Sequence, residues 1–148
     1  MDRIEYVYTV GMDDRELEDH LTRADTGVLG LAADGDAYAL PVAHHYEGET
    51  LYVRLSTDGS STKMSYLEET DTASYTLYDV DSAGNSWSII ATGPLRKLTD
   101  REQVQFDETA VNESFLELRI FDEDVDAVAL EIYELEIETI AGRKTGEQ

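Results

Sequence analysis

The spacing of hydrophobic positions changes several times along the chain, and the changes outline its elements. Leu17 and Leu21 recur at helical spacing, with His20 beside them and acids opposite, which predicts a helix over Asp13–Arg23. Asp13 and Asp14 suit its start, where a carboxylate accepts backbone N–H bonds and meets the positive end of the helix dipole. Alternation then takes over. Gly27–Ala33 reads as a strand ended by an Asp34-Gly35 turn. Ala37–Tyr46 follows with Tyr38, Leu40, Val42 and His44 on one face, then a Glu47-Gly48 turn and a third strand over Thr50–Ser56. Ser60–Glu68 returns to helical spacing through Met64, Tyr66 and Leu67. Thr72–Val80 and Ser86–Leu98 are strands four and five, and Pro94 predicts a bend or bulge in the latter. Asp100–Val111 reads as a helix carrying Val104, Phe106 and Val111, and Ala127–Ile140 as a last long strand. In that strand Val128, Leu130 and Ile132 alternate on one face, and Tyr133, Leu135 and Ile137 on the other. This requires a bulge or a change of buried face near Ile132.

Six strands with a few short flanking helices predict a mainly β fold, a six-stranded antiparallel barrel, closed or nearly so. With 148 residues and no repeat or Pro/Gly-rich linker, residues 1–148 read as a single domain.

Charge changes the picture most. Asp and Glu number 33 against 11 Lys and Arg, a formal net charge of −22. The acids are dispersed and do not form one tail, and only Lys63, Lys97 and Lys144 are lysine. Such a composition is expected of a halophilic, cytoplasmic protein, and it argues against nucleic acid as a partner, since phosphate backbones need basic footprints. No apolar run approaches the ~20 residues of a membrane-spanning helix, and no secretory leader is legible. The chain has no cysteine, so disulfides, thiolate metal sites and thiol nucleophiles are excluded.

The best candidate for chemistry is the segment from Tyr52 to Lys63. A strand ends in a loop of small hydroxylic residues, and a helix begins within it, so backbone N–H groups and the helix dipole make an anion site. Ser56, Thr57, Ser61 and Thr62 add hydroxyls, and Arg54 and Lys63 add charge. A plain Ser/Thr-capped helix with a surface lysine explains the same residues. The segment is no P-loop, because the Gly-Lys pair is missing. Trp87, the only tryptophan, reads as a core or interface aromatic. His44 and His45 point to opposite sides of a strand and cannot share a metal, so no metal site is assigned. No G-x-S-x-G elbow or Ser-His-Asp spacing is present, and no catalytic residue is assigned. The acidic run Asp122–Asp126 reads as a solvated turn without the glycine and terminal glutamate of a calcium loop.

Taken in order, three stretches resemble the pyridoxamine 5′-phosphate oxidase-like family, the FMN-binding split barrels, from about Asp13 to Arg143. They are Ala39-Leu40-Pro41-Val42-Ala43, then Leu51-Tyr52-Val53 with Ser56-Thr57 and Ser61-Thr62-Lys63, then Ser86-Trp87-Ser88 through Pro94. The resemblance implies a six-stranded antiparallel split β-barrel. It places Leu40, Pro41 and Val42 against the flavin ring, and Ser56, Thr57, Ser61, Thr62 and Lys63 around the phosphate. It also brings Trp87 and Ser88 from a second subunit. Thr62 stands where the oxidases carry arginine in Ser-Arg-Lys, Ser88 stands where they carry glutamine, and Gly142-Arg143-Lys144 does not supply their substrate motif. Arg54 is a candidate to compensate at the phosphate. FMN binding is therefore implied more strongly than vitamin B6 oxidation. The resemblance implies a flavin-dependent oxidoreductase acting on a small molecule that the residues do not identify. The alternatives are a non-catalytic flavin carrier or sensor, or the same barrel holding haem, with His44 as an axial ligand, or a deazaflavin. It also implies a homodimer, because a barrel this small is filled by its own side chains and the ring needs a surface groove closed by a second copy.

The charge generates a prediction of its own. At ~1 M salt the Debye length is about 3 Å and repulsion among the carboxylates is largely screened. Circular dichroism across a potassium chloride series should show the chain loosening at low salt. A melting midpoint that stays constant from low to molar salt would contradict this.

Overall fold

A computed structural model describes residues 9–57, 61–108 and 129–146. Within these residues nine strands and three helices run in the order β1 (Thr9–Gly11), α1 (Asp14–Arg23), β2 (Thr26–Ala33), β3 (Asp36–Glu47), β4 (Thr50–Thr57), α2 (Ser61–Glu69), β5 (Ala73–Val80), β6 (Ser86–Gly93), β7 (Leu95–Lys97), α3 (Asp100–Glu108), β8 (Ala129–Leu135) and β9 (Thr139–Thr145). The strands form one antiparallel sheet in the order β1-β9-β6-β5-β2-β3-β4-β8-β7. Among the described residues none of these elements is a helix long and apolar enough to cross a membrane.

The expected six-stranded barrel is therefore corrected to a nine-stranded sheet whose ends, β1 and β7, do not pair with each other. Two long predicted strands are each cut in two, and a short strand, β1, precedes α1. The cuts have one cause. At Pro94, which has no N–H to donate, the ladder passes from β6 to β7. Opposite it, residues 136–138 separate β8 from β9. The two breaks are stitched together: Glu138 N–H donates to Thr92 O at 2.8 Å, and Glu136 N–H donates to Pro94 O at 3.0 Å. The long hairpin thus changes partners at one point, so that β6 pairs with β9 and β7 with β8.

Residues that alternate in the sequence alternate in the structure. Leu29, Leu31, Leu40, Val42, Leu51, Val53, Leu55, Tyr75, Leu77, Ile89 and Ala91 point into one main core, which α1 enters through Leu17 and Leu21 and α2 through Leu67. The face slip near Ile132 is resolved without a bulge. β8 pairs with β4 in unbroken register from Leu51↔Leu135 to Thr57↔Ala129. Tyr133 and Leu135 join the main core, while Ile132 packs with Ala43 and Leu98 in a second cluster on the opposite face. Both faces of the strand thus carry buried apolar side chains, which is why apolar residues occur at both parities.

Local chemistry sets the ends of the elements. Asp13 caps α1 in a capping box: its side chain accepts from Glu16 N at 2.8 Å while the Glu16 carboxylate accepts from Asp13 N. The β2–β3 turn is Asp34-Gly35, both at positive φ, as a two-residue hairpin requires. The β3–β4 turn falls one residue later than expected, on Gly48-Glu49, also both at positive φ. The predicted helix 100–111 is helical to Glu108, and its remaining residues, like the acidic run 122–126, lie outside the described residues.

The partner change depends on Gly93. A Cβ there would sit 1.7 Å from the carbonyl oxygen of Glu136, a backbone atom that cannot swing aside. Gly93→Ala should destabilise the fold by about 1–3 kcal/mol, the usual range for overpacking. Thermal denaturation in molar salt checks this, and an unchanged midpoint would contradict the stitched geometry.

Candidate functional site

The hydroxyl-rich segment singled out in the sequence forms the junction from β4 to α2, on which Ser56 and Thr57 close the strand and Ser61, Thr62 and Lys63 open the helix. Thr62 is exposed, whereas Lys63 is only 3% exposed. A lysine is rarely buried to this degree, and in a chain with three lysines its place in the first turn of α2 is a specific feature. The helix is fixed at its other end. The Thr70 hydroxyl donates to Tyr66 O and accepts from Ala32 N–H at 3.1 Å, tying α2 to β2. Tyr66 also stacks on Tyr38 of β3, with ring centroids 5.1 Å apart.

Strand alternation separates the other candidates. Leu40 and Val42 face the main core and are buried, while Pro41 between them is exposed on the outer face. Arg54 is half-buried and pairs in register with Ala43 and Ile132, so it shares the outer face with Pro41. α2 lies on the other side of the sheet, where Leu67 enters the core. Trp87 and Ser88 occupy opposite faces of β6. Trp87 packs against the main core and stacks on His20 of α1 at 4.1 Å, whereas Ser88 faces outward between Tyr78 and Arg143. Of the two sequence readings of Trp87, its environment within the chain is the core.

A feature that the sequence did not expose is the outer face itself. Across β3, β2, β5, β6 and β9 one register row reads Pro41, Val28, Thr76, Ile90 and Ala141, and a neighbouring row reads Tyr78, Ser88 and Arg143. Where these five strands pair with one another, no carboxylate stands on this face, and Arg143 is its one charged residue. On β3 the one acid of the same parity, Glu47, lies at its far end, past the part that β2 covers. The Arg143 guanidinium is held by Thr9, donating from Nε to the hydroxyl at 2.9 Å and from Nη2 to the carbonyl at 2.8 Å. Several of the other cations are paired with the chain's own acids. Arg96 grips Glu102 through two hydrogen bonds and Glu134 through a third. Lys97 pairs with Glu131, and Lys144 with Glu16. Arg96 and the Thr99 backbone hold the Glu102 carboxyl pKa down to about 2.

Among the described residues His44 is the one buried histidine, and both of its ring nitrogens are engaged. Nε2 lies 3.0 Å from Leu21 O, which can only accept, so Nε2 carries the proton. Nδ1 then accepts from the Tyr75 hydroxyl at 2.5 Å. Gly27 makes room for that hydroxyl, since a Cβ there would meet the Tyr75 ring at 2.4 Å. The axial role considered for His44 with haem is at odds with this arrangement, because neither nitrogen is available to a ligand. Among the described residues no cluster of His, Asp or Glu could hold a metal ion.

Burial is the main cause that lowers the His44 pKa below its ordinary 6.5, outweighing the Leu21 hydrogen bond and the Asp25 charge. In the unfolded chain the group takes up a proton near 6.5, and in the folded chain it resists doing so. Its contribution to stability is therefore complete above about 6.5 and is lost as pH falls below that value. Melting midpoints in molar salt should fall between pH 7 and pH 5, and His44→Asn should flatten that dependence. Parallel curves for the two proteins would contradict the assignment.

A search of curated proteins returns no match to this sequence. Solved structures share the fold at low identity. An FAD-binding protein from Mesorhizobium loti superposes with a TM-score of 0.70 at 17% identity, covering 93% of this chain and 99% of that one. An FAD-binding protein from Mycobacterium smegmatis gives 0.67 at 16% identity, with 91% and 97% covered. An FAD- and haem-binding protein from the same organism gives 0.66 at 16% identity, with 91% and 72% covered. The family model described as pyridoxamine 5′-phosphate oxidase matches residues 13–144, from the capping residue of α1 into β9, and this chain belongs to that family.

Proposed function

We propose that this chain is a flavoprotein that holds FMN by its phosphate at the β4–α2 junction and acts as a flavin-dependent oxidoreductase. The observation that carries the reading is Lys63, a buried cation in the first turn of a helix that follows a hydroxyl-rich strand end, in a chain of the pyridoxamine 5′-phosphate oxidase family. The FAD-binding relatives of the same fold support a flavin, and FMN is the part of FAD that a single phosphate site would grip. The residues present fit a phosphate: one ammonium, the Thr62 hydroxyl and the N-terminal turn of α2 supply short-range donors. Short range is essential, because the field of the whole chain at −22 opposes a dianion.

When bound, the flavin supplies the redox chemistry. The chain's own part is to bind and orient it. Thr62 in place of arginine removes a bidentate partner, so the phosphate rests on Lys63, hydroxyls and backbone N–H groups. The haem alternative has no support from His44, whose nitrogens are both occupied.

Lys63→Ala should weaken FMN binding about tenfold or more in molar salt, in line with loss of one charge-assisted hydrogen bond of ~1.5–3 kcal/mol. Riboflavin, which lacks the phosphate, should lose much less. Fluorescence titration with FMN, FAD and riboflavin measures all three, and equal losses for FMN and riboflavin would refute the phosphate assignment.

A further inference from the structure

We infer, building on the phosphate site proposed above, that Thr70 is a positioning residue of that site: its hydroxyl fixes the place of α2 and thereby aims Lys63. Thr70 follows the last turn of α2 and Lys63 stands in the first, so Thr70 acts through the helix. α2 needs such a tie. It has nine residues, and a helix that short is marginal in water by itself. The charges at both ends oppose its dipole. Lys63 is in the first turn, where no acid stands, and Glu68 and Glu69 are in the last, where no base stands. The helix therefore keeps its place by what it touches.

Its contacts are of two kinds. Leu67 enters the core, Met64 and Tyr66 pack partly buried against it, and the Tyr66 ring stacks on Tyr38. Apolar burial is non-directional: it holds the helix down on the sheet, and a small slide along the sheet costs it little. The Thr70 contacts are directional. Its backbone N–H and its hydroxyl both donate to Tyr66 O, closing the last turn. Its hydroxyl oxygen accepts from Ala32 N–H at 3.1 Å. β2 pairs with β3 as far as Ala33, but with β5 only over Val28–Gly30. Past Gly30 the Thr70 hydroxyl provides the acceptor that β5 no longer does. Hydrogen bonds weaken steeply off line, so this one sets both the position of α2 along β2 and its rotation.

Lys63 lies two turns upstream, about 10 Å along the axis at ~1.5 Å per residue. Over so short a distance a helix moves as one body. The Lys63 side chain is 3% exposed, so its surroundings leave it little room to follow a phosphate by changing rotamer. Charge-assisted contacts to a phosphate are short and directional. A helix that slips at Thr70 therefore carries the ammonium out of reach.

Fluorescence titration with FMN and riboflavin in molar potassium chloride tests this on the full chain. Thr70→Val keeps the side-chain shape and removes the hydroxyl. It should weaken FMN about threefold to tenfold, part of the effect of one charge-assisted hydrogen bond, and leave riboflavin nearly unchanged. Thr70→Ser should restore FMN binding. With Lys63→Ala already present, Thr70→Val should weaken FMN no further, because the two residues act on one contact. A merely structural role gives a different pattern: equal losses for both ligands, or losses that add in the double variant. Either would overturn the inference. If Thr70→Val fails to fold, the unmodified chain supplies a second readout. A tie that favours phosphate binding is itself strengthened by that binding. The Ala32 amide should therefore exchange its hydrogen more slowly in the FMN complex than in the riboflavin complex, each at saturation, and equal exchange would overturn the inference. If Lys63→Ala weakens FMN and riboflavin equally, the phosphate site falls and the role of Thr70 with it. If Lys63→Ala separates the two ligands and Thr70→Val does not, only the role of Thr70 falls.

Discussion

Mutual repulsion among 33 carboxylates is the constraint around which this molecule is built. Sheet and helices have to bring the strands together while keeping those charges in water or beside a donor. Several acids are placed where backbone N–H groups need acceptors. Glu16 and Asp13 close the start of α1, and Glu102 and Thr99 close the start of α3 in the same reciprocal way. Others surround the scarce cations, as Glu102 and Glu134 surround Arg96. These exposed pairs add little stability individually, but they decide where the acids stand. The core and the paired outer face of the central strands are left free of carboxylates.

The candidate phosphate site lies on the core side of the sheet, at the start of α2. α2 reaches into the core with Leu67, is pinned to β2 by Thr70, and carries Lys63 in its first turn. The outer face begins on β3 with Pro41. In the core the His44–Tyr75 hydrogen bond joins β3 to β5, so these strands are held by polar as well as apolar contacts.

Much of this is legible in the sequence because it is local. The α1 cap, the Asp34-Gly35 turn, the parity of Leu40, Val42 and His44 and the break at Pro94 all follow from residues a few positions apart. The β8 slip is legible as a pair of alternatives, and burial on both faces decides between them. The need for glycine at position 93 is not legible, because it comes from the Glu136 carbonyl, far along the chain. Nor is the carboxylate-free outer face, whose members are neighbours only through the register of five strands. Trp87 and Ser88 look like one group when taken as adjacent residues, although adjacency in a strand sends side chains to opposite faces. Lys63 stands out by its rarity and its place at a helix start, but its burial depends on how α2 docks.

The absorption spectrum of the chain, purified in molar potassium chloride and then supplied with FMN, shows whether it holds the proposed flavin. A flavin spectrum that stays with the protein through gel filtration, at one FMN per chain, is the expected result. A haem spectrum in the purified protein, or FMN that separates from the protein entirely, would contradict it.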